Sequence, residues 1–68
     1  MQVTINGKNE SINENISLRD FILTMNLPQG ERGIAACINL EIIPKDEWKN
    51  TPIKEGDRLD IVEAAPGG

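Results

Sequence analysis

Apolar and polar residues alternate at both ends of the chain. At the start, Met1, Val3 and Ile5 are separated by polar residues. Residues 58–63, near the other end, alternate in the same way. A period of two is typical of a strand that buries one face. The pattern therefore predicts a first and a last strand, each with one side against a core.

A hairpin is predicted at the start of the chain. Asn6-Gly7 follows the first strand, and this dipeptide is a strong signal for a two-residue type I′ turn. Residues 8–12, which form the second arm, are mostly polar. We expect them to form a short and exposed edge strand.

One helix is predicted in the middle of the chain. Ser17 lies three residues before Asp20, as an N-cap residue and its acidic partner do, so the helix should begin at Leu18. Pro28 excludes continuation much beyond Asn26, which leaves about two and a half turns. The apolar residues with helical spacing, which should face a sheet, are Leu18, Phe21, Ile22 and Met25.

The second half of the chain predicts three further strands. Residues 28–33 are turn formers and charges, residues 34–39 form a strand, and residues 42–43 form a short strand that Pro44 ends. Trp48 lies in a polar segment, where we expect it to cover part of a small core. Residues 54–57 form a turn that the side chain of Asp57 shapes, and the last strand follows.

The order of elements predicts the fold. It is strand, strand, helix, strand, short strand, strand, so a single helix covers one face of a mixed sheet of four to five strands. This is the order of an α+β β-grasp, or ubiquitin-like, fold, in which the first and last strands lie parallel at the sheet centre. We expect one domain at residues 1–63 and a flexible tail at residues 64–68.

Composition excludes several classes of function. The 68 residues include no His and no Tyr, and only one Cys and one Trp, so no nucleophile–base pair or metal-ligand cluster is present. We therefore expect no catalytic residue, no metal and no cofactor. The formal net charge of −4 is the wrong sign for a nucleic-acid partner. No apolar run is long enough to span a membrane, and we expect a cytoplasmic monomer.

The chain resembles the sulfur-carrier proteins of thiamine biosynthesis, which are ubiquitin-like proteins that end in Gly-Gly. The resemblance spans the whole sequence. The residues that carry it are Asn6-Gly7, Ile38-Asn39, the run Ile42-Ile43-Pro44-Lys45 with Trp48, Glu55-Gly56-Asp57 and the terminal Gly67-Gly68.

The resemblance implies a carrier that is the substrate of an enzyme. An E1-like adenylating enzyme would activate the carboxylate of Gly68 with ATP, and a sulfur-donor system, such as a cysteine desulfurase, would supply the sulfur of a thiocarboxylate. Thiazole synthase would then receive that sulfur. The tail that would thread into the partner consists of Gly67, Pro66 and Ala65. Glycine suits such a tail because it has no Cβ to obstruct a narrow channel. Five extended residues reach at most about 17 Å.

Docking requires a surface as well as a tail. If Leu59 and Ile61 face the helix, alternate residues of the last strand and its neighbour face the open side of the sheet. The docking patch predicted in this way consists of Val62, Ala64, Ala35 and Cys37. Cys37 itself has no basic neighbour in sequence to activate its thiol, which favours a packing role over persulfide chemistry.

Three other functions agree with the same pattern. A sulfur carrier for molybdopterin synthesis has the same fold and ending, although such chains tend to be longer. A covalent protein modifier would pass the activated glycine to a lysine amine. A non-catalytic β-grasp interaction module would bind through its sheet, and its tail would be idle.

Overall fold

A computed structural model describes residues 1–28 and 30–63. The strands are β1 (Gln2–Ile5), β2 (Lys8–Ser11), β3 (Ile34–Ile38), β4 (Glu41–Ile42) and β5 (Arg58–Glu63). The helix α1 spans Leu18–Thr24, and a 3₁₀ helix spans Lys45–Asn50. Each predicted element is present, and the boundaries differ from the prediction by one or two residues. The predicted division between domain and tail falls at the limit of the described residues and stays a prediction.

The strands form one sheet in the order β2-β1-β5-β3-β4. The pairing of β1 with β5 is parallel, and the pairings β1–β2, β3–β5 and β3–β4 are antiparallel. The first and last strands of the chain are therefore neighbours, and β5 is the central strand. Together with α1, this confirms the β-grasp fold that the order of elements predicted.

The turn between β1 and β2 is the predicted two-residue hairpin. Ile5 pairs with Lys8, which leaves Asn6 and Gly7 as the loop, with φ angles of 50° and 88°. Positive φ at both positions is the requirement of a type I′ turn, and asparagine and glycine meet it at low conformational cost. All four residues of β2 are exposed, as expected of a polar edge strand.

Helix α1 begins where the cap predicts and ends earlier than expected. The hydroxyl of Ser17 accepts a hydrogen bond of 3.1 Å from the backbone N–H of Asp20. The helix has seven residues, with Met25 as its C-cap, and is shorter than the predicted two and a half turns. Asn26 follows with a φ of 52°, a left-handed conformation that commonly ends helices. The helix therefore ends at a local backbone reversal before Pro28 is reached.

The core lies between α1 and one face of the sheet. From β5 it includes Leu59, which is 0% exposed, and Ile61, which is 6% exposed. The remaining buried residues of the described chain are Val3, Leu18, Phe21, Ile22, Ala36, Ile38, Trp48 and Ile53. Because these residues come from both helices and three strands, the core forms only when the whole chain is assembled.

Trp48 is fully buried within this core, and the expectation that it covers only part of it was wrong. Its side chain is 1% exposed, and its indole N–H donates a 2.9 Å hydrogen bond to the carbonyl oxygen of Ile43. The polar residues around it belong to the 3₁₀ helix, in which Trp48 is the buried residue. A short helix can bury a single large side chain while its charged neighbours stay in water.

The turn at residues 54–57 joins the start of β5 to β1. The carboxylate of Asp57 accepts a 2.8 Å hydrogen bond from the backbone N–H of Lys54, as predicted for a turn shaped by this side chain. Gly56 has a φ of 84°, which favours glycine, and its N–H donates to the carbonyl oxygen of Gln2. The Glu55 carboxylate accepts from the N–H of Gln2 at 3.1 and 3.2 Å.

Replacement of Trp48 by phenylalanine tests whether the indole is central to stability. We expect Trp48→Phe to lower the free energy of unfolding by about 1–3 kcal/mol, because a void forms and the Ile43 carbonyl loses its donor. Urea denaturation followed by circular dichroism measures the loss. Leu23→Ala is the control, because Leu23 is 45% exposed. An equal loss in both variants would contradict the central role of Trp48.

Candidate functional site

The end of β5 defines the place from which the last residues of the chain emerge. Glu63, the last described residue, pairs with Ile34, the first residue of β3. β5 is the central strand of the sheet, but its last residues are paired only with β3, because the pairing with β1 ends at Leu59. The predicted modification site and tail, at Gly68, Gly67, Pro66, Ala65 and Ala64, lie outside the described residues.

Asn6 connects the end of β1 to β5 through its side chain. The backbone N–H of Asn6 donates to the carbonyl oxygen of Leu59 at 2.9 Å. Its side-chain amide then continues the pairing, because Oδ1 accepts from the N–H of Ile61 at 2.9 Å and Nδ2 donates to the carbonyl oxygen of Ile61 at 3.1 Å. The sequence indicated Asn6 only as a turn residue, and no local pattern reveals its second role.

Asn39 makes a similar connection at the other end of β5. Its N–H donates to the carbonyl oxygen of Arg58 at 2.8 Å, and its Oδ1 accepts from the N–H of Arg58 at 3.0 Å. Its Nδ2 donates to the carboxylate of Asp57 at 3.1 Å. Asn39 also has a positive φ, of 52°. The two ends of the central strand are thus held by asparagine side chains that also form turns.

The open face of the sheet carries the described members of the predicted docking patch. Val62 is 57% exposed, and it is paired across the strands with the exposed Ala35. Cys37 is half-buried and is paired with Asp60. These residues therefore share one face, opposite Leu59 and Ile61. Their role in docking stays a prediction.

Ile42 extends this face, and the sequence reasoning did not include it. It is 72% exposed and is paired with Cys37 across the β3–β4 hairpin. The signal that could have found it is the two-residue connection between β3 and β4, which fixes the alternation of faces. We call Val62, Ala35, Cys37 and Ile42 together the open-face patch. Leu40, in the connecting turn, is also 71% exposed, with a φ of 71°.

Charge on the open face is partly neutralised within the chain. Nε of Arg58 donates a 2.9 Å hydrogen bond to Oδ2 of Asp60, in an ion pair that is partly exposed to solvent. A second ion pair involves α1 and not the open face. Nε of Arg19 donates a 2.7 Å hydrogen bond to Oε1 of Glu31. This hydrogen bond and the charge of Glu31 raise the pKa of Arg19 above its ordinary value.

The described residues do not contain the usual parts of a catalytic centre. No group of three or more His, Cys, Asp or Glu residues within 1–28 and 30–63 is placed to hold a metal ion. One depression on the described surface, lined by Gln2, Thr4 and Gly56 among others, is open to solvent. No helix among the described residues is long and apolar enough to cross a membrane.

The sheet order and single covering helix define a small ubiquitin-like protein of the β-grasp class. Residues 3–68 match the model of the ThiS family. The chain belongs to this family, which confirms the resemblance seen in its sequence.

Two curated relatives are similar in sequence. The chain is 31% identical, over all of its 68 residues, to 20% of a thiazole synthase from Paramagnetospirillum magneticum. It is also 31% identical over 42 residues to the sulfur carrier protein ThiS of Escherichia coli, in a match that covers 62% of this chain and 64% of that protein. The chain thus spans about a fifth and about two thirds, respectively, of these relatives.

Two solved structures have the same fold. A crystal structure of the thiamine biosynthesis protein ThiS from Geobacter metallireducens matches with a TM-score of 0.86 at 21% identity, and the match covers all of both chains. An NMR structure of a thiamine biosynthesis protein from the same organism matches with a TM-score of 0.81 at 23% identity. That match covers all of this chain and 88% of the other.

Serine substitutions test the assignment of the two faces of β5. We expect Val62→Ser to change the free energy of unfolding by less than about 0.5 kcal/mol, because most of this side chain is in water. Ile61→Ser should lower it by more than about 2 kcal/mol, because it removes apolar volume and buries a hydroxyl. Urea denaturation compares them, and equal losses would contradict the assigned faces.

Proposed function

We propose that this chain is a sulfur carrier in thiamine biosynthesis and is a substrate of other enzymes, with no catalytic activity of its own. The observation that carries the proposal is the match to the ThiS family over residues 3–68, which includes Gly67 and Gly68. The E. coli relative, itself named a sulfur carrier protein, supports the same function.

The proposed chemistry takes place at the carboxylate of Gly68. An oxygen of this carboxylate attacks the α-phosphorus of ATP, pyrophosphate leaves, and an acyl adenylate forms. Sulfide, the donor used in the test below, then attacks the acyl carbon, AMP leaves, and the new C–S bond and loss of a proton give a thiocarboxylate. The first step is needed because a free carboxylate is a poor electrophile. The thiocarboxylate sulfur is the nucleophile that the carrier delivers for construction of the thiazole ring.

The fold suits a carrier because the residues of the core, which stabilise the domain, are separate from the residues that follow β5 and would carry the sulfur. The helix-side face of the sheet is buried, whereas the last strand ends at Glu63 and leaves five further residues in the sequence. Fully extended, five residues reach at most about 17 Å. This reach is sufficient to bring Gly68 into a buried site of an enzyme on which the domain is docked. Gly67 and Gly68, with no Cβ atoms, suit passage through a narrow channel.

Three partners follow from this chemistry. An E1-like enzyme would adenylate Gly68, a donor system such as a cysteine desulfurase would provide sulfur, and thiazole synthase would accept it. The Paramagnetospirillum relative supports the last partner, because a protein named thiazole synthase includes a segment similar to this whole chain. Fusion of two interacting domains raises their effective concentration, which is an advantage for a carrier and its acceptor.

The open-face patch is the docking surface that we propose for these partners, together with Ala64. Its described members are small or apolar, and Val62 and Ile42 are more than half exposed. Val62 lies one residue before the end of β5, so an enzyme docked there is within reach of the tail. Exposed apolar side chains on a small protein are typical of contact surfaces.

Intact-protein mass spectrometry tests the function. The chain is incubated with ATP, inorganic sulfide and the adenylating enzyme of the same organism. We expect a gain equal to the replacement of one oxygen by sulfur, and none in a variant that lacks Gly68. Cleavage after Glu63 then releases residues 64–68, and the gain must be in that peptide. This step distinguishes the thiocarboxylate from oxidation of Met1, Met25 or Cys37, which has almost the same nominal mass.

Each other outcome has a defined meaning. No gain with an enzyme shown to be active would reject the carrier and favour the interaction module. Conjugates of high mass in a lysate would favour the protein modifier. A thiocarboxylate that thiazole synthase does not consume, but molybdopterin synthesis does, would assign the chain to that pathway.

Substitution at the open-face patch tests the docking surface. We expect Val62→Asp to raise KM for the carrier in the adenylation reaction by about tenfold or more with little change in kcat, because a buried contact becomes an unpaired charge. Leu23→Asp is the matched control, since Leu23 is 45% exposed on α1. Pyrophosphate release measures both. An equal effect of the two substitutions would contradict a specific patch.

A further inference from the structure

The end of β5 is supported unequally on its two sides. Toward β3 it is paired at every residue from Leu59 to Glu63. Toward β1 the backbone pairing ends at Leu59, because the chain turns away at Asn6 and Gly7. The N–H and the carbonyl oxygen of Ile61 are on this second side, and both are bonded to the side-chain amide of Asn6.

We propose that Asn6 is a positioning residue that fixes the point at which the chain leaves the sheet, and so keeps Gly68 at a defined reach from the docked domain. This inference rests on the sulfur-carrier function proposed above. Asn6 is 62 positions away from Gly68 in sequence. It acts through Ile61, two residues before the last residue of β5.

Asparagine is suited to this position for two independent reasons. Its side-chain amide has the donor and the acceptor of a peptide group, and so it can take the place of a strand residue opposite Ile61. It also tolerates positive φ better than most residues, and the φ of Asn6 is 50°. Aspartate retains the acceptor for the N–H of Ile61, but it places a carboxylate oxygen against the carbonyl oxygen of Ile61. Glycine preserves the turn but makes neither of the two side-chain hydrogen bonds to Ile61.

Loss of the hydrogen bonds between Asn6 and Ile61 would lower kcat for adenylation more than it would raise KM. Residues 61–63 would open more readily from the sheet, and an enzyme that binds the chain would have to order them again. Ordering backbone residues has an entropic cost, so an enzyme that must order part of this segment again loses about tenfold in rate. The open-face patch would still bind, and we therefore expect kcat to fall about tenfold while KM changes by less than about twofold.

The experiment compares Asn6→Gly with Asn39→Gly. Both residues have a positive φ near 50°, and both side chains make two hydrogen bonds at an end of β5, but Asn39 lies at the end opposite to the tail. Hydrogen exchange is measured at each amide of the free proteins, and kcat and KM are measured for adenylation. Asn6→Asp is a second variant that keeps one of the two bonds and also tolerates the turn.

The expected result is specific to the tail end of the strand. In Asn6→Gly, exchange at Ile61 should rise at least tenfold relative to that at Leu59, and kcat should fall about tenfold. Asn6→Asp should change both in the same direction. Asn39→Gly should leave kcat within about twofold, even where its loss of stability is equal.

Two results would overturn the inference. One is uniform acceleration of exchange in Asn6→Gly, which indicates a general loss of stability. The other is an equal fall in kcat for the Asn6 and Asn39 variants. Failure of the proposed function looks different, because the unaltered chain would then not be adenylated, would form no thiocarboxylate, or would form one that thiazole synthase does not consume. The exchange measurement still tests the link in that case, since it needs no partner enzyme.

Discussion

The parallel pairing of β1 with β5 is the interaction on which the rest of this structure depends. Parallel neighbours cannot be joined by a tight turn, so the chain between them must cross over the sheet. Here the connection contains β2, α1, β3, β4 and the 3₁₀ helix, and both helices contribute residues that cover the core. The same pairing makes β5 central, and the sheet therefore holds the last strand from both sides.

The backbone pairing between β1 and β5 is short, and side-chain hydrogen bonds extend the connection at both ends. The register pairs only Thr4 with Arg58 and Ile5 with Leu59. Asn6 extends the connection toward Ile61, and Glu55 closes the other end by accepting from Gln2. A domain of 68 residues has a small core, so such polar connections across distant parts of the chain contribute a large share of its order.

The two faces of the sheet differ in their exposure to solvent. The face toward α1 contains Leu59 and Ile61 and provides stability, whereas the open face is left with Val62 and Ile42 in solvent. This difference in exposure is the basis of the docking surface proposed above.

Patterns within a few residues of one another were sufficient to predict the order of elements, the Ser17 cap, the Asn6-Gly7 turn and the buried and exposed faces of β5. They depend on local backbone preferences and on period, which sequence displays directly. The carrier role of Gly68 came from resemblance to a family, and residues 64–68 lie outside the described structure.

Only the tertiary structure decided the full burial of Trp48, the position of Ile42 on the open face and the bond between Asn6 and Ile61. The last of these joins residues 55 positions apart. The indole of Trp48 likewise becomes buried only when α1 and the sheet close around it. Local sequence does not contain such information, because the partner atoms are brought together by the fold and not by the neighbouring residues.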